Sequence, residues 1–183
     1  MLVKSPFEMT AVVPPDGQGM NPLLQDPWMA IHPPILFVGY AAAIFHFALA
    51  MAGLVTRNYE EWKTYAFRWT LFAAVMLGAG SIIGAFWAYE VLGWGGYWGW
   101  DPVENSSLVP WLTLLALMHG LVVEHRKGAL PRTNIFLAIT TFLLVLYATF
   151  LTRSGVLADF SVHSFVDLGI NNYLLGVMFA TGL

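Results

Sequence analysis

The stretch ILFVGYAAAIFHFALAMAGLV, residues 35–55, decides the fold class of this chain because it is apolar and carries no charge. At 1.5 Å per helical residue, about 21 such residues match a hydrocarbon core of ~30 Å. Residues 69–89 form a second such stretch, and residues 106–123 and 134–151 form shorter ones that their flanks can extend. The sequence therefore predicts four complete transmembrane helices.

The composition of the chain also indicates a membrane protein. Of its 183 residues, 58% are hydrophobic and 10% are charged, whereas soluble domains contain about 25% charged residues. The aromatic content of 15% includes 8 Trp residues, as is typical of chains that contact lipid interfaces. This composition excludes a disordered chain and a basic nucleic-acid-binding protein. Since the sequence contains no cysteine, it excludes a disulfide scaffold, a thiolate metal site and covalent haem attachment.

Both ends of the chain look like parts of a longer protein. A fifth apolar segment begins at Tyr173 and reaches the last residue after about 11 residues, or ~16 Å of helix. The first residues are polar and rich in Pro and Gly, without the apolar core of a signal peptide. We therefore expect a fragment in which residues 1–34 form an outer-side segment. Residues 35–183 would form an all-α transmembrane bundle with four complete helices and a truncated fifth.

The distribution of positive charges predicts the orientation in the membrane. Six of the 8 Lys and Arg residues follow the first or third predicted helix, and two lie in the other loops. Because cytoplasmic loops carry the excess of Lys and Arg, residues 1–34, 90–105 and 152–172 should face the outer side. That side is the periplasm if the protein lies in a bacterial inner membrane.

The loop before the third helix is unusually rich in aromatic residues and glycine. It contains WGGYWGWDPVEN, residues 94–105, in which Trp94, Trp98 and Trp100 alternate with glycines. An interfacial aromatic belt, a sugar-binding surface or a protein-docking surface could have this composition. Glycines that admit a ligand and flat side chains that cover it also suit the face of a porphyrin.

Residues Asp101, Pro102 and Glu104 match the N-cap, N1 and N3 positions of a capping box. Capping alone would explain all three residue types, so a ligand role for Asp101 is an alternative of equal weight. Pro110 would then lie within the third helix and kink it.

Two of the five histidines lie on the same predicted side as the tryptophans. His32 precedes the first span and His163 lies in the loop 152–172, and two imidazoles are a common axial pair for haem iron. Each could instead be a hydrated surface residue. His119 lies inside the third span, where it could bind a cofactor or form a hydrogen bond to a neighbouring helix. His46 fits a packing role and His125 a solvated one.

Arg153 stands at the outer end of the fourth span, in TRSGV. Its guanidinium could simply reach the interface, or it could hold a haem propionate through paired hydrogen bonds.

Several of these segments occur in the order typical of CcmF-type cytochrome c maturation proteins, which the chain resembles over about residues 19–165. They are NPLLQDP (21–27), HPP (32–34), the tryptophan-rich loop ending in WDPVEN (100–105) and TRSGV (152–156) followed by His163. That loop, residues 90–105, is the WWD loop of this family, and we call residues 152–172 the histidine loop. DPVENSSLVPWL and TRSGV look closer to CcmF, or to its paralogue for nitrite reductase assembly, than to the synthase of the other bacterial pathway.

The resemblance implies site residues and cofactors. His32 and His163 match the external histidines that ligate a transient haem at the WWD loop, and His119 matches one of two intramembrane ligands of a resident haem b. The second intramembrane ligand would lie beyond Leu183. Binding of haem would involve Trp94, Trp98, Trp100, Asp101 and Arg153 in addition to these histidines.

The function that follows is cytochrome c assembly. The chain would bind haem and promote its attachment to apocytochrome c as a component of a holocytochrome c synthase, or haem lyase, complex. Its partners would be a haem chaperone, apocytochrome c and other maturation subunits, in membrane lipid and without nucleic acid. Two alternatives remain at this point: a transporter or channel subunit, with His46 and His119 along its path, and a haem b electron-transfer subunit.

Overall fold

The chain forms a bundle of long helices. The computed structural model describes residues 12–13, 15–17, 19–93, 95–165, 167 and 169–182. Within that part of the chain, a 3-10 turn at Pro22–Leu24 precedes helices α1 (Pro27–Thr56), α2 (Tyr59–Val91), α3 (Pro102–Lys127), α4 (Pro131–Arg153) and α5 (Asn171–Gly182). Helices α1 to α4 are long and apolar enough to cross a membrane. The predicted all-α membrane fold is confirmed, and α5 has 12 residues.

Helix α1 begins earlier than its apolar stretch predicts. The carboxylate of Asp26 accepts hydrogen bonds from the backbone N–H groups of Trp28 (2.8 Å) and Met29 (3.3 Å), and Pro27 occupies N1. These residues start the helix in polar sequence, before the span itself begins. His32 therefore lies on α1 rather than in a segment before it.

Helix α3 begins with the predicted capping box. The Asp101 carboxylate accepts from the backbone of Glu104, and the Glu104 carboxylate accepts from the backbone N–H of Asp101 at 3.2 Å. Pro110 lies inside the helix, as expected. The capping-box prediction is confirmed, and the last four residues of the predicted WWD loop, 102–105, form the rigid first turn of α3.

Small residues bring α1 and α2 into close contact. A Cβ added at Gly39 would lie 2.6 Å from the backbone nitrogen of Leu77, and one added at Gly80 would lie 2.7 Å from the Cα of Leu36. Close backbone approach at small residues is how membrane helices gain packing energy without a hydrophobic driving force. Gly39 of α1 and Gly80 of α2 therefore serve helix packing.

The four long helices pack as a closed bundle, with α1 against α2 and α4, and α3 against α2 and α4. Its centre is filled by alanine, leucine and aromatic side chains, among which His46 is fully buried. Burial agrees with the packing role predicted for His46. Neither ring nitrogen of His46 has a hydrogen-bond partner among the described residues.

Candidate functional site

One end of the bundle, which we call the histidine end, brings together segments that are far apart in the sequence. It comprises the starts of α1 and α3, the ends of α2 and α4, the WWD loop and the histidine loop. His32 and His163 both lie here and both contact the indole ring of Trp87. The two histidines that the sequence singles out are thus neighbours in the structure.

Asp101 connects the WWD loop to the histidine loop. Its Oδ2 atom accepts hydrogen bonds from the Ser161 hydroxyl at 2.8 Å and from His163 Nδ1 at 3.1 Å. The same atom accepts from the backbone N–H of Val103 at 3.0 Å as part of the helix cap. Asp101 is therefore both a capping residue and a partner of His163, so the two interpretations of this residue do not compete.

The contact with Asp101 sets the tautomer of the neutral His163 ring. An ionised carboxylate only accepts hydrogen bonds, so the proton lies on Nδ1 and the lone pair of a neutral ring lies on Nε2. Histidines that bind metals commonly donate their other ring N–H to a carboxylate, which fixes the ring and raises its basicity. The His163 side chain is 27% exposed and that of Asp101 is 8% exposed.

His32 has the same tautomer for a similar reason. Its Nδ1 lies 3.1 Å from the backbone carbonyl oxygen of Trp28, which can only accept. The ring stacks on Trp87 with centroids 5.6 Å apart and an angle of 23° between the planes. A Cβ at Gly84 would lie 3.0 Å from His32 Cδ2, so the glycine leaves room for the imidazole. Nε2 of His32 is the nitrogen that remains for a ligand bond.

Trp87 was not among the residues that the sequence singles out. Its side chain is 4% exposed, and its edge contacts His163 with centroids 6.4 Å apart. In the sequence it is one aromatic residue in an apolar span, where lipid contact is the ordinary explanation. Only the packing of α2 against α1 and the histidine loop reveals its position.

The WWD loop is held to the first turns of α3 by side-chain hydrogen bonds. Trp98 Nε1 donates to Asn105 Oδ1 at 3.2 Å, and Asn105 Nδ2 donates to the Trp100 carbonyl at 3.1 Å. The backbone N–H of Gly99 donates to the Glu104 carboxylate at 3.0 Å. These contacts fix the backbone on both sides of Trp100. Trp94 lies outside the described residues.

Trp100 has an unusual conformation. Its φ is +56° and its side chain is 74% exposed. A bulky residue in the left-handed region is strained, and such strain is typical of functional sites. A groove of about 510 Å³ runs between Trp100 and the histidine loop and is lined by residues 99–102 and 158–162. The exposed indole therefore forms one wall of an open groove beside Asp101.

Arg153 ends α4 beside the histidine loop. Its Cζ lies 4.1 Å from the centroid of the Phe165 ring, a cation–π contact. The loop folds back at this point because the Phe165 N–H donates to the Thr152 carbonyl at 2.9 Å. Gly155 permits the turn, since its φ is +75° and a Cβ there would overlap the backbone of Asp167. Arg153 is half-buried, at the edge of the histidine end.

His119 lies apart from the other candidate residues. It is exposed on α3, while the adjacent Gly120 is buried against the Asn134 side chain. The imidazole therefore faces away from the four-helix core, at mid-helix.

The donor set of the histidine end fits haem better than a bare metal ion. The described residues contain no cluster of three or more His, Cys, Asp and Glu side chains that could hold a metal ion. Haem iron needs only one or two protein ligands, because the porphyrin supplies the others. His32 and His163, each with Nδ1 held by an acceptor, meet that requirement.

The chain matches known proteins along most of its length. Residues 1–157 match the family model described as cytochrome C assembly protein. The CcmF cytochrome c-type biogenesis protein of Pseudomonas fluorescens is 44% identical over 169 residues, which cover 91% of this chain and 25% of that protein. CcmF of Escherichia coli K12 is also 44% identical, and the match covers 91% of this chain and 26% of that protein. NrfE of Haemophilus influenzae is 37% identical, and the match covers 98% of this chain and 28% of that protein.

A solved structure gives the same result. The cytochrome c heme lyase CcmF superposes with a TM-score of 0.66 and 39% sequence identity, over 86% of this chain and 26% of that one. The chain spans about a quarter of the length of the relatives it matches. On this evidence of sequence and fold, the chain belongs to the cytochrome c assembly protein family.

Proposed function

We propose that this chain carries the haem-presenting site of a cytochrome c maturation protein, with His32 and His163 as axial ligands of a substrate haem. The observation that carries the proposal is the meeting of both imidazoles at Trp87, each with Nδ1 held by an acceptor. Iron would be bound through Nε2 of each ring, as is usual when the other ring nitrogen of a histidine ligand is held by an acceptor.

The WWD loop would hold the porphyrin beside these ligands. Trp98 and Trp100 offer large flat surfaces, and the hydrogen bonds to α3 keep their backbone in place. We assign the same role to Trp94 from its position in the sequence. Asp101 would orient His163, and Arg153 would pair with a propionate at the edge of the site.

The reaction served by this site is the attachment of haem to apocytochrome c. Each Cys thiol of the apocytochrome would add across a haem vinyl group, with its sulfur and hydrogen joining the two carbons. The chain contains no cysteine and would supply no nucleophile. Its contribution would be orientation of the haem until a histidine of the apocytochrome replaces one axial ligand.

A resident haem b would be a separate cofactor, bound within the membrane. His119 is suitable because it is exposed on α3 and faces away from the bundle, toward helices contributed from elsewhere. Its second ligand would come from outside these 183 residues. The chemistry that this haem supplies when bound is electron transfer to the iron of the substrate haem.

We further propose that the histidine end faces the periplasm of a bacterial inner membrane. Six of the 8 Lys and Arg residues lie toward the opposite end, in the turns that join α1 to α2 and α3 to α4 or on the helix segments beside them, and the positive-inside rule assigns that end to the cytoplasm. The haem chaperone, apocytochrome c and other maturation subunits would meet the chain at this outer surface, as part of a haem lyase complex.

A transporter is less well supported than a haem-handling protein. A substrate path along α2 would need open space, but Gly39 and Gly80 lie against the backbone of the neighbouring helix. His46 is fully buried in the core. A haem b electron carrier would need a buried haem, whereas the aromatic surface at the histidine end is open.

Ligand replacement tests the proposal. His32→Gly and His163→Gly, each in the assembled maturation complex, should impair cytochrome c maturation and be partly rescued by added imidazole. Trp98→Ala should weaken haem retention without rescue, because it removes contact area rather than an iron bond. His125→Gly is the matched control, since His125 Nδ1 also contacts a backbone carbonyl, that of Leu121, far from the site.

Full maturation and an unchanged haem spectrum in either histidine variant would contradict the proposal. Purification of the complex without any haem would favour the transporter class instead.

A further inference from the structure

The segment NPLLQDP, residues 21–27, has no role in the function proposed above, although it is one of the motifs that carry the family resemblance. We infer that this segment and Trp87 together position His32 and His163, so that both imidazoles are held in one arrangement. The contacts of Trp87 and the segment do not depend on the proposed function, but the role of the two imidazoles as haem ligands rests on it. Trp87 would be a positioning residue that does not itself contact iron.

The indole ring of Trp87 contacts both imidazole rings. Trp87 stacks on His32 at 5.6 Å and meets His163 edge-on at 6.4 Å, with planes at 73°. A buried indole is rigid, because the side chain has only two torsions and packing restricts both. A single rigid ring in contact with two imidazoles limits how far each can move toward or away from the other.

Trp87 is held in place by a hydrogen bond to the segment before α1. Its Nε1 donates a hydrogen bond to the Leu23 carbonyl at 3.2 Å, across 64 positions of sequence. Burial makes this bond important, since a buried indole N–H without a partner is costly. The bond selects one orientation of the ring and ties the end of α2 to the chain before α1.

The Leu23 carbonyl is itself fixed by the motif. The Asn21 side chain accepts from the Leu23 N–H at 3.0 Å, and Gln25 N–H donates to the Pro22 carbonyl at 3.1 Å. Gln25 Nε2 also donates to the Met20 carbonyl at 2.8 Å. The 3-10 turn is thus closed by the flanking residues Asn21 and Gln25 and can serve as a support for the indole.

The motif reaches His32 by a second route. Asp26 caps α1, and the first turn of that helix presents the Trp28 carbonyl to His32 Nδ1. The Trp28 ring also meets Phe86, the residue before Trp87, edge-on at 5.2 Å. One short segment therefore supports the stacked partner of His32 and the acceptor that sets its tautomer.

These contacts would set the ligand geometry before haem arrives. A site held by packed elements retains its arrangement better than one formed by free loops. Loosening Trp87 should therefore release the histidine loop and open one axial position, even though no ligand is changed.

Trp87→Phe tests the inference, because it removes the N–H and part of the ring while keeping an aromatic side chain. Trp111→Phe is the matched control, since Trp111 Nε1 also donates to a backbone carbonyl, that of Ala74, at 3.0 Å. Both variants would be made in the assembled complex. The first readout is the ferric haem spectrum, in which Trp87→Phe should lose low-spin signal and gain a high-spin form that added imidazole reverses.

The second readout needs no haem. The chain lacks cysteine, so a spin label at Val162→Cys, where the native side chain is 68% exposed, reports the histidine loop alone. Trp87→Phe should narrow the nitroxide spectrum, and Trp111→Phe should leave it unchanged. Asn21→Ala, at an exposed position, should give a smaller change of the same kind and serves if Trp87→Phe does not fold.

Equal label mobility in the parent, Trp87→Phe and Asn21→Ala would overturn the inference. A parent complex without a bis-histidine haem spectrum would overturn the proposed function. The mobility of the spin label at Val162→Cys would still show whether Trp87 positions the histidine loop.

Discussion

His163 Nδ1 lies 3.1 Å from Asp101 Oδ2, the oxygen that also caps helix α3. Asp101, which directly follows Trp100, is therefore hydrogen-bonded to a histidine 62 positions away. This relationship joins the two loops of the histidine end and provides the sharpest test of the site.

Asp101→Asn should raise the reduction potential of the substrate haem, while leaving α3 capped. Asparagine is as good an N-cap as aspartate. Its neutral amide oxygen is a weaker hydrogen-bond acceptor than a carboxylate, so His163 becomes a less basic ligand and stabilises ferric iron less. Spectroelectrochemical titration of the complex measures the change. Asp26→Asn is the control, because Asp26 caps α1 in the same way without a histidine contact. Equal shifts in the two variants would contradict the role of Asp101.

Asp101→Ala should in addition destabilise the start of α3. Loss of an N-cap costs about 1 kcal/mol, and the Ser161 hydroxyl would lose its partner as well. Thermal unfolding in detergent should show a lower midpoint for this variant than for Asp101→Asn. Identical midpoints would mean that the cap contributes nothing measurable.

Gly80→Val should destabilise the bundle more strongly than changes at the histidine end. A Cβ at Gly80 would lie 2.7 Å from the Cα of Leu36, so α1 and α2 must separate. Overpacking of this kind costs about 1–3 kcal/mol. Gly176→Val is the control, since nothing lies within 4 Å of a Cβ there. Equal melting temperatures in the two variants would show that the helix contact is unimportant.

Single cysteines test the predicted orientation, as the chain has none of its own. An impermeant thiol reagent added from the outside should label Gly17→Cys, Gly96→Cys and Val162→Cys, but not Lys127→Cys. Val162 suits the histidine loop better than Ser161, because Ser161 is buried against Asp101. Labelling of Lys127→Cys with protection of Gly96→Cys would reverse the topology.

His119→Ala should remove a membrane-embedded haem from the complete complex, but the 183-residue chain alone should not bind that haem. Bis-imidazole ligation needs a second histidine, and His46 is enclosed in the core. Haem content per protein and the low-spin spectrum measure the loss, and His125→Ala is the control. A stoichiometric low-spin haem on the isolated chain that disappears with His119→Ala would contradict the dependence on another helix.

The sequence by itself determined the transmembrane helices and the start of α3. Uninterrupted apolar stretches of sufficient length have few alternatives to a spanning helix, because lipid cannot satisfy an open backbone. The capping box at Asp101 involves residues three positions apart, so local spacing predicts it. Asp26 and Pro27 are a comparable local signal for the early start of α1. The apolar stretch alone, however, predicts that the span begins at Ile35.

Only the tertiary structure decided how the candidate residues combine. It placed Trp87 in contact with both His32 and His163, gave Asp101 its second role and turned His119 away from the core. Sequence periodicity shows which residues share a helix face, but not which neighbouring helix that face meets. Those contacts depend on the packing of α1 and α2 at small residues and on the fold of the histidine loop. The hydrogen bonds from Trp87 to Leu23 and from His163 to Asp101 join residues more than 60 positions apart.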